Sequence, residues 1–238
     1  MYLSKIAQHY NLQSSYIHMI KFKLLLAFLS SSILLCCAAP TEQKAIEKEP
    51  ISPELLAKLD TAYFANGCFW CTEAIFERVN GVVDVVSGYA GGSRPNPTYT
   101  QVSMGLTKYA EAVRVVYDPD VVSYKLLIEF FYASHDPTQL NRQGNDVGAQ
   151  YRSEVYYKTK EEKELAIARK EYLDKSGKYS SKIVTLISKF TNFYDAEDYH
   201  QDYYKNNPRQ PYVYSVSRPK VEKFVKEYQQ YLKPEFQS

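Results

Sequence analysis

Ala62-Tyr63-Phe64-Ala65-Asn66-Gly67-Cys68-Phe69-Trp70-Cys71-Thr72 is the stretch on which the reading of this chain turns. A short apolar run, Ala62 to Ala65, leads into two cysteines three positions apart, and a helical pattern follows from Thr72 to Val79. A strand, a glycine and a helix in that order place Cys68 at a helix N-terminus. There the unpaired N–H groups and the helix dipole favour thiolate over thiol, and the thiolate is the reactive species. A second thiol one helical turn on is placed to attack whatever forms on the first.

Outward from this stretch, the chain reads as an α/β or α+β two-layer sandwich. Strands are expected at Ala62–Asn66, Val82–Tyr89, Ala112–Tyr117, Ser153–Tyr157 and Ile183–Ser188, and helices at Thr72–Val79, Ser123–Ser134, Lys160–Ser176 and Asp195–Lys205. In the second helix Leu126, Leu127, Phe130 and Phe131 recur at three- and four-residue spacing and mark a buried face. Two long loops, Gly88 to Tyr99 and His135 to Arg152, carry aromatic, Asp and Arg side chains; loops of that length are usually functional or disordered, and this composition points to function. One domain is expected over 61–208, with a polar linker at 40–60 holding one short helix at Pro53–Leu59. A tail over 209–238 follows, with a helix at Lys220–Leu232.

The first 39 residues read as an export segment. Lys21 and Lys23 precede an apolar run from Leu24 to Cys37, too short for the roughly 20 residues of a membrane span. A Cys directly behind the apolar run resembles a lipoprotein acylation site at Cys37; Cys36 stands where a small residue is usual, and cleavage after Ala39 is the alternative. Residues 1–18 lie upstream of a plausible start at Met19, with Met1 then a mis-assigned start, and they are set aside in reading the fold. The expected location is the periplasm or cell envelope. Removing residues 1–39 takes away Lys5, Lys21 and Lys23 and no acid, leaving 26 basic and 27 acidic residues. A near-neutral surface gives no support for nucleic-acid binding. Two thiols, Cys68 and Cys71, and two histidines, His135 and His200, then remain.

That inventory weighs the chemistry. A structural zinc site needs four ligands and a catalytic one at least three, and neither histidine has ligand spacing. A disulfide across so small a loop constrains the unfolded chain little. A Cys–His hydrolase with His135 or His200 as base finds no support in the surrounding sequence. A general dithiol oxidoreductase fits the C-x-x-C after a strand, although Phe69 and Trp70 between the thiols suit an apolar cage for a methyl-sized group. Glu111, in Tyr109-Ala110-Glu111-Ala112-Val113, opens an apolar strand; burial without a cationic partner would keep it protonated and make it a proton donor, whereas a solvated edge position would leave it inert. A non-enzymatic binding lipoprotein with an aromatic cleft is the remaining class.

Seven stretches in order decide among these: Gly67-Cys68-Phe69-Trp70, Gly88-Tyr89-Ala90-Gly91-Gly92, Pro97-Thr98-Tyr99, Ala110-Glu111-Ala112-Val113, His135-Asp136-Pro137-Thr138, Arg142-Gln143-Gly144-Asn145-Asp146 with Gln150-Tyr151-Arg152-Ser153, and Ala196-Glu197-Asp198-Tyr199-His200-Gln201. Together, over about residues 62–208, they resemble the A-type peptide methionine sulfoxide reductases. The resemblance implies a mixed sheet with flanking helices on a ferredoxin-like plan. It implies an enzyme with no metal or cofactor that reduces methionine S-sulfoxide, free or in proteins, and draws electrons from a thioredoxin-like dithiol; a monomer is expected. It implies that Cys68 attacks the sulfoxide sulfur, that Phe69 and Trp70 hold the methyl group, and that Glu111 protonates the oxygen. Tyr99 and Tyr151 would hydrogen-bond that oxygen, with Asp146 as a supporting carboxylate. Cys68 would be left as a sulfenic acid, which condenses readily with a nearby thiol. This chain departs from the pattern twice. Its tail lacks the recycling cysteine of many members, so Cys71 is the expected resolving thiol, and Tyr109 stands where many members have His.

Overall fold

The structure, a computed structural model, describes residues 53–237. The export segment, the Met19 start, Cys37 and most of the 40–60 linker lie outside the described residues. The chain runs α1 (Pro53–Leu56), β1 (Asp60–Asn66), α2 (Phe69–Glu77), β2 (Val82–Ala90), α3 (Tyr99–Ser103), β3 (Ala110–Tyr117), α4 (Tyr124–Ala133), β4 (Arg142–Gln143), β5 (Asp146–Val147), β6 (Ser153–Tyr157), α5 (Lys160–Lys175), β7 (Leu186–Lys189), β8 (Phe193–Asp195), α6 (Tyr203–Asn206) and α7 (Arg218–Tyr228). Six strands form one sheet in the order β7-β6-β1-β3-β2-β8. β6 and β7 are parallel and every other neighbouring pair is antiparallel, so the sheet is mixed.

Side-chain alternation along the strands builds two layers. On β1, Ala62 and Phe64 face the helices, and Phe64 stacks at 5.3 Å on both Phe76 of α2 and Phe131 of α4. Ala65 faces the other way, into a smaller cluster with Ala90, Ala110, Ala112 and Tyr156, against which Phe190 and Phe193 pack. On β3 the same alternation sends Val113 and Val115 into the main core and Ala110 and Ala112 to the opposite side. Glu111 shares the face of Val113 and so lies beneath the N-terminus of α2.

The tail belongs to the same compact unit as the rest of the described chain. Val213, Val221, Phe224 and Leu232 are buried, and Phe224 meets Phe130 edge-on at 5.5 Å. Its α-helix covers Arg218–Tyr228 and is preceded by a π-helical turn, Val213–Ser217.

The helix expected over Asp195–Lys205 does not form. The segment instead gives the short strand β8, a 3-10 turn at Asp198–His200 and the single turn α6. The Gln201 side chain is the reason. Its Oε1 accepts from the Ser87 N–H and its Nε2 donates to the Ser87 and Ala196 carbonyls, so it works as an extra strand partner beside β2. Asp202 then takes a left-handed φ of 52°, which ends any helix there. The strand expected at Ile183–Ser188 is shorter and later, at Leu186–Lys189.

Candidate active site

Gly67 makes the turn from β1 into α2 at φ +101°, a conformation open to glycine, and a Cβ there would lie 2.8 Å from the Gln143 side chain. Cys68 is therefore the N-cap of α2, as its place in the sequence predicts, and Cys71 lies one turn on; both thiols are free and buried. Each thiol shifts the ionisation of the other. Burial and the neighbouring Cys71 and Glu111 groups push the Cys68 thiol up, against the nearby Tyr212 hydroxyl, which favours the thiolate. Desolvation thus opposes the thiolate that the helix N-terminus favours.

The first free N–H of α2 is already taken. Phe69 N–H donates to Glu111 Oε2 at 3.2 Å, which seats the carboxyl on the positive end of the helix. Even so, burial, helped by the charges of Asp146 and Cys71, raises Glu111 to about 8. Glu111 is thus buried, with its carboxyl held above the usual carboxylate range.

Cys68, Phe69, Trp70, Tyr99, Glu111, Asp146, Tyr151, Gln210 and Tyr212 line one cavity of about 300 Å³. Of the eight side chains expected from sequence, seven line it; Cys71 stands behind Cys68, with its Sγ donating to Ser217 Oγ at 3.2 Å. Phe69 is buried between Tyr89, Tyr99 and His200. Trp70 stacks on Tyr203 with centroids 3.8 Å apart, and its Nε1–H donates to His200 Nδ1 at 3.1 Å. Two loops bring the tyrosines together. Tyr99 N–H and Tyr89 O–H both donate to the Glu197 carboxylate, and Gln150 Nε2 ties the Tyr151 turn to the Ser103 carbonyl at the end of α3. Burial and the nearby charges of Glu111 and Cys68 raise Tyr99 to about 12, and Tyr151 moves up for the same reasons, so both hydroxyls keep their protons and can donate. Tyr109, the departure noted above, donates its hydroxyl to the Arg94 carbonyl and does not line the cavity.

Sequence reasoning missed Tyr212 and Gln210, because the tail was expected to lie outside the domain. Tyr212 O–H donates to Asp146 Oδ2 and its ring meets Trp70 edge-on. It also missed the second partners Glu197, His200, Tyr203 and Ser217. Glu197 and His200 lie in one of the seven quoted stretches but were given no such role, and each of the four acts across more than 80 residues of chain. Among the described residues no group of three or more His, Cys, Asp or Glu side chains is arranged to hold a metal ion.

Paired thiols, a protonated carboxylic acid and tyrosine hydroxyls around an apolar aromatic wall define the site of a thiol-dependent reductase. The comparisons make the class specific. The model of the peptide methionine sulfoxide reductase family matches residues 60–232. The peptide methionine sulfoxide reductase MsrA of Nautilia profundicola is 53% identical over 165 residues, 69% of this chain and 94% of that protein. That of Deinococcus radiodurans is 51% identical over 172 residues, 72% and 84% of the two chains. Among solved structures, reduced Mxr1 of Saccharomyces cerevisiae is similar with a TM-score of 0.60 at 39% identity, covering 68% of this chain and 91% of that one. Methionine sulfoxide reductase A of Corynebacterium diphtheriae is similar with a TM-score of 0.57 at 37% identity, covering 64% and 77%. The chain belongs to the A-type peptide methionine sulfoxide reductase family. It is an oxidoreductase that reduces methionine S-sulfoxide at the expense of thiols.

Proposed function

We propose that the residues around the 300 Å³ cavity divide the reaction as follows, supported above all by the convergence of Cys68, Glu111 and the aromatic wall on one space. The sulfoxide methyl packs against Phe69 and Trp70, and its oxygen accepts from Tyr99, Tyr151 and the Glu111 carboxyl. Cys68, as thiolate, attacks the sulfur while Glu111 gives its proton to the oxygen. A protonated Glu111 also removes a negative charge beside the attacking sulfur, so the acid and the nucleophile assist each other. Oxygen passes to Cys68, methionine leaves, and a sulfenic acid remains. Asp146, holding the Tyr212 hydroxyl, keeps the tail against the pocket. Cys71 condenses with the sulfenic acid and water is lost. The resulting disulfide is reduced by an external dithiol of thioredoxin type, and no resident cofactor enters the cycle. Substrates are free methionine S-sulfoxide and oxidised methionines in proteins.

The fixed placement of methyl, oxygen and attacking sulfur supports selectivity for the S epimer. Methionine formation from each epimer with dithiothreitol, followed by chiral chromatography, tests this; equal consumption of both would refute it. Cys68→Ser should release no methionine even in a single turnover, and stoichiometric release would refute its role. We also read the four central strands, in the order β6-β1-β3-β2 with α2 and α4 as crossovers, as a ferredoxin-like plan. Lys21, Lys23 and the apolar run to Cys37 support an exported, lipid-anchored enzyme. Equal solubility of wild type and Cys37→Ala outside the cytoplasm would replace the anchor with cleavage near Ala39.

A further inference from the structure

Cys68 and Cys71 face different surroundings. Cys68 lines the substrate cavity, and Cys71 does not. Cys71 points at the tail, where the fully buried Ser217 hydroxyl sits 3.2 Å from its Sγ. A hydroxyl accepts from a thiol and, by rotating, donates to a thiolate. Lys220 follows three residues later on the same helical face. Its ammonium acts on Cys71, and with Ser134 and His135 it lines a separate cavity of about 540 Å³. The charged and titratable groups facing Cys71 are Lys220 from α7, Cys68 from its own helix, Asp146 from β5, Glu111 from β3 and Tyr212 from the tail.

We propose that Ser217 is a positioning residue that, together with the charge of Lys220, fixes the direction of thiol exchange. Cys71 is the thiolate that closes the disulfide and the leaving group when it opens, and an incoming reductant sulfur attacks Cys68. Both steps balance. In closure, the Cys71 thiolate attacks Cys68 sulfur, the S–O bond of the sulfenic acid breaks, and hydroxide takes up a proton and leaves as water. In opening, a reductant thiolate enters through the substrate cavity and bonds to Cys68 sulfur; the S–S bond breaks and its electron pair goes to Cys71. A second reductant thiol then attacks the mixed disulfide, forming the oxidised reductant and freeing Cys68.

The electrostatics agree with the geometry. The neighbouring Cys68 thiol and, against burial, the Lys220 charge and Ser217 lower Cys71 to about 7, while burial pushes Cys68 up. The lower-pKa thiol is the better leaving group. The sulfenic acid in the closing step rests on the function proposed above, but the opening step can be tested without it, because diamide forms the same disulfide.

The oxidised protein, made with diamide, is mixed with glutathione, quenched in acid, alkylated and mapped by fragmentation mass spectrometry. Glutathione is expected on Cys68 in at least about tenfold excess over Cys71, from the leaving-group preference; equal labelling, or labelling on Cys71, would overturn the direction. The pH midpoint of iodoacetamide alkylation of Cys71 is then followed in Cys68→Ser. Lys220→Met should raise it by about half to one unit, Ser217→Ala should raise it, and Lys220→Arg should leave it in place. If Lys220→Met does not fold, about 1 M potassium chloride on the Lys220 protein should move the midpoint the same way by screening the ammonium. A midpoint indifferent to both overturns the part given to Lys220. Glutathione directed to Cys68 in a protein inactive on methionine sulfoxide would refute the proposed function and leave this inference standing.

Discussion

Replacing Glu111 with Gln keeps the shape and an acceptor for the Phe69 N–H but removes the transferable proton. Burial sets the size of the effect. With its acidity moved from 4.5 to about 8, Glu111 is about nine-tenths protonated at pH 7, whereas an ordinary glutamate would be so in roughly three molecules per thousand. The site thus multiplies the available acid about 300-fold, inside the roughly 10²–10⁴-fold range of positioned proton transfer. Holding the proton there corresponds to about 5 kcal/mol of disfavoured ionisation. Rapid-quench measurement of methionine released in one turnover, from pH 5.5 to 10, is the assay. Wild type should give a bell whose two values belong jointly to Glu111 and Cys68. Glu111→Gln should lose about two to four orders of magnitude at the optimum and keep a single limb from the thiol. A loss below about tenfold, or a bell that survives in the variant, would refute the acid role.

Other consequences can be measured directly. Cys71→Ser should release one methionine per enzyme and then stall with thioredoxin, carrying a sulfenic acid on Cys68 that dimedone traps; sustained turnover would exclude the disulfide step. Glu73, buried in α2 and accepting from Asp202 N–H, is raised by burial to about 8. A folded value above the unfolded one stabilises at low pH and loses that stability as pH rises from about 4.5 through 8, so Glu73→Gln should flatten urea-unfolding stability across that window by up to about 1.4 kcal/mol per pH unit. An unchanged slope would mean that Glu73 ionises freely. Phe224→Ala should lower stability by about 3–5 kcal/mol, and a loss below about 1 kcal/mol would show a tail only loosely docked.

Local chemistry made the central elements legible. The apolar run ending in Asn66-Gly67, the periodicity of Leu126 to Phe131 and the alternation around Glu111 each report on neighbours close in sequence, and those elements form within a residue or two of expectation. One signal was present but unread. Thr98-Tyr99-Thr100-Gln101 is a capping box, with both of its hydrogen bonds made, and starts α3. Phe193-Tyr194-Asp195 is a strand too short to announce itself. The helix expected from Asp195 failed because Gln201 finds its partners on Ser87, 114 residues away, which no local window contains. The site divides the same way. Cys68, Phe69, Trp70 and Glu111 declare themselves by type and position, whereas Tyr212 is one tyrosine among 23 until the tail is folded against Asp146.

The tail supplies both Tyr212 at the pocket and Ser217 behind Cys71, and this has a consequence for the order of synthesis. The chain is made from its N-terminus, and at roughly 5–20 residues per second Cys68 exists for about 7–30 s before Tyr212 is added. Through that interval the thiols have neither the aromatic neighbour nor the hydroxyl that later confines them. A nascent chain meeting an oxidant in that interval would expose them to any passing disulfide, and their confinement would begin only when Tyr212 and Ser217 dock.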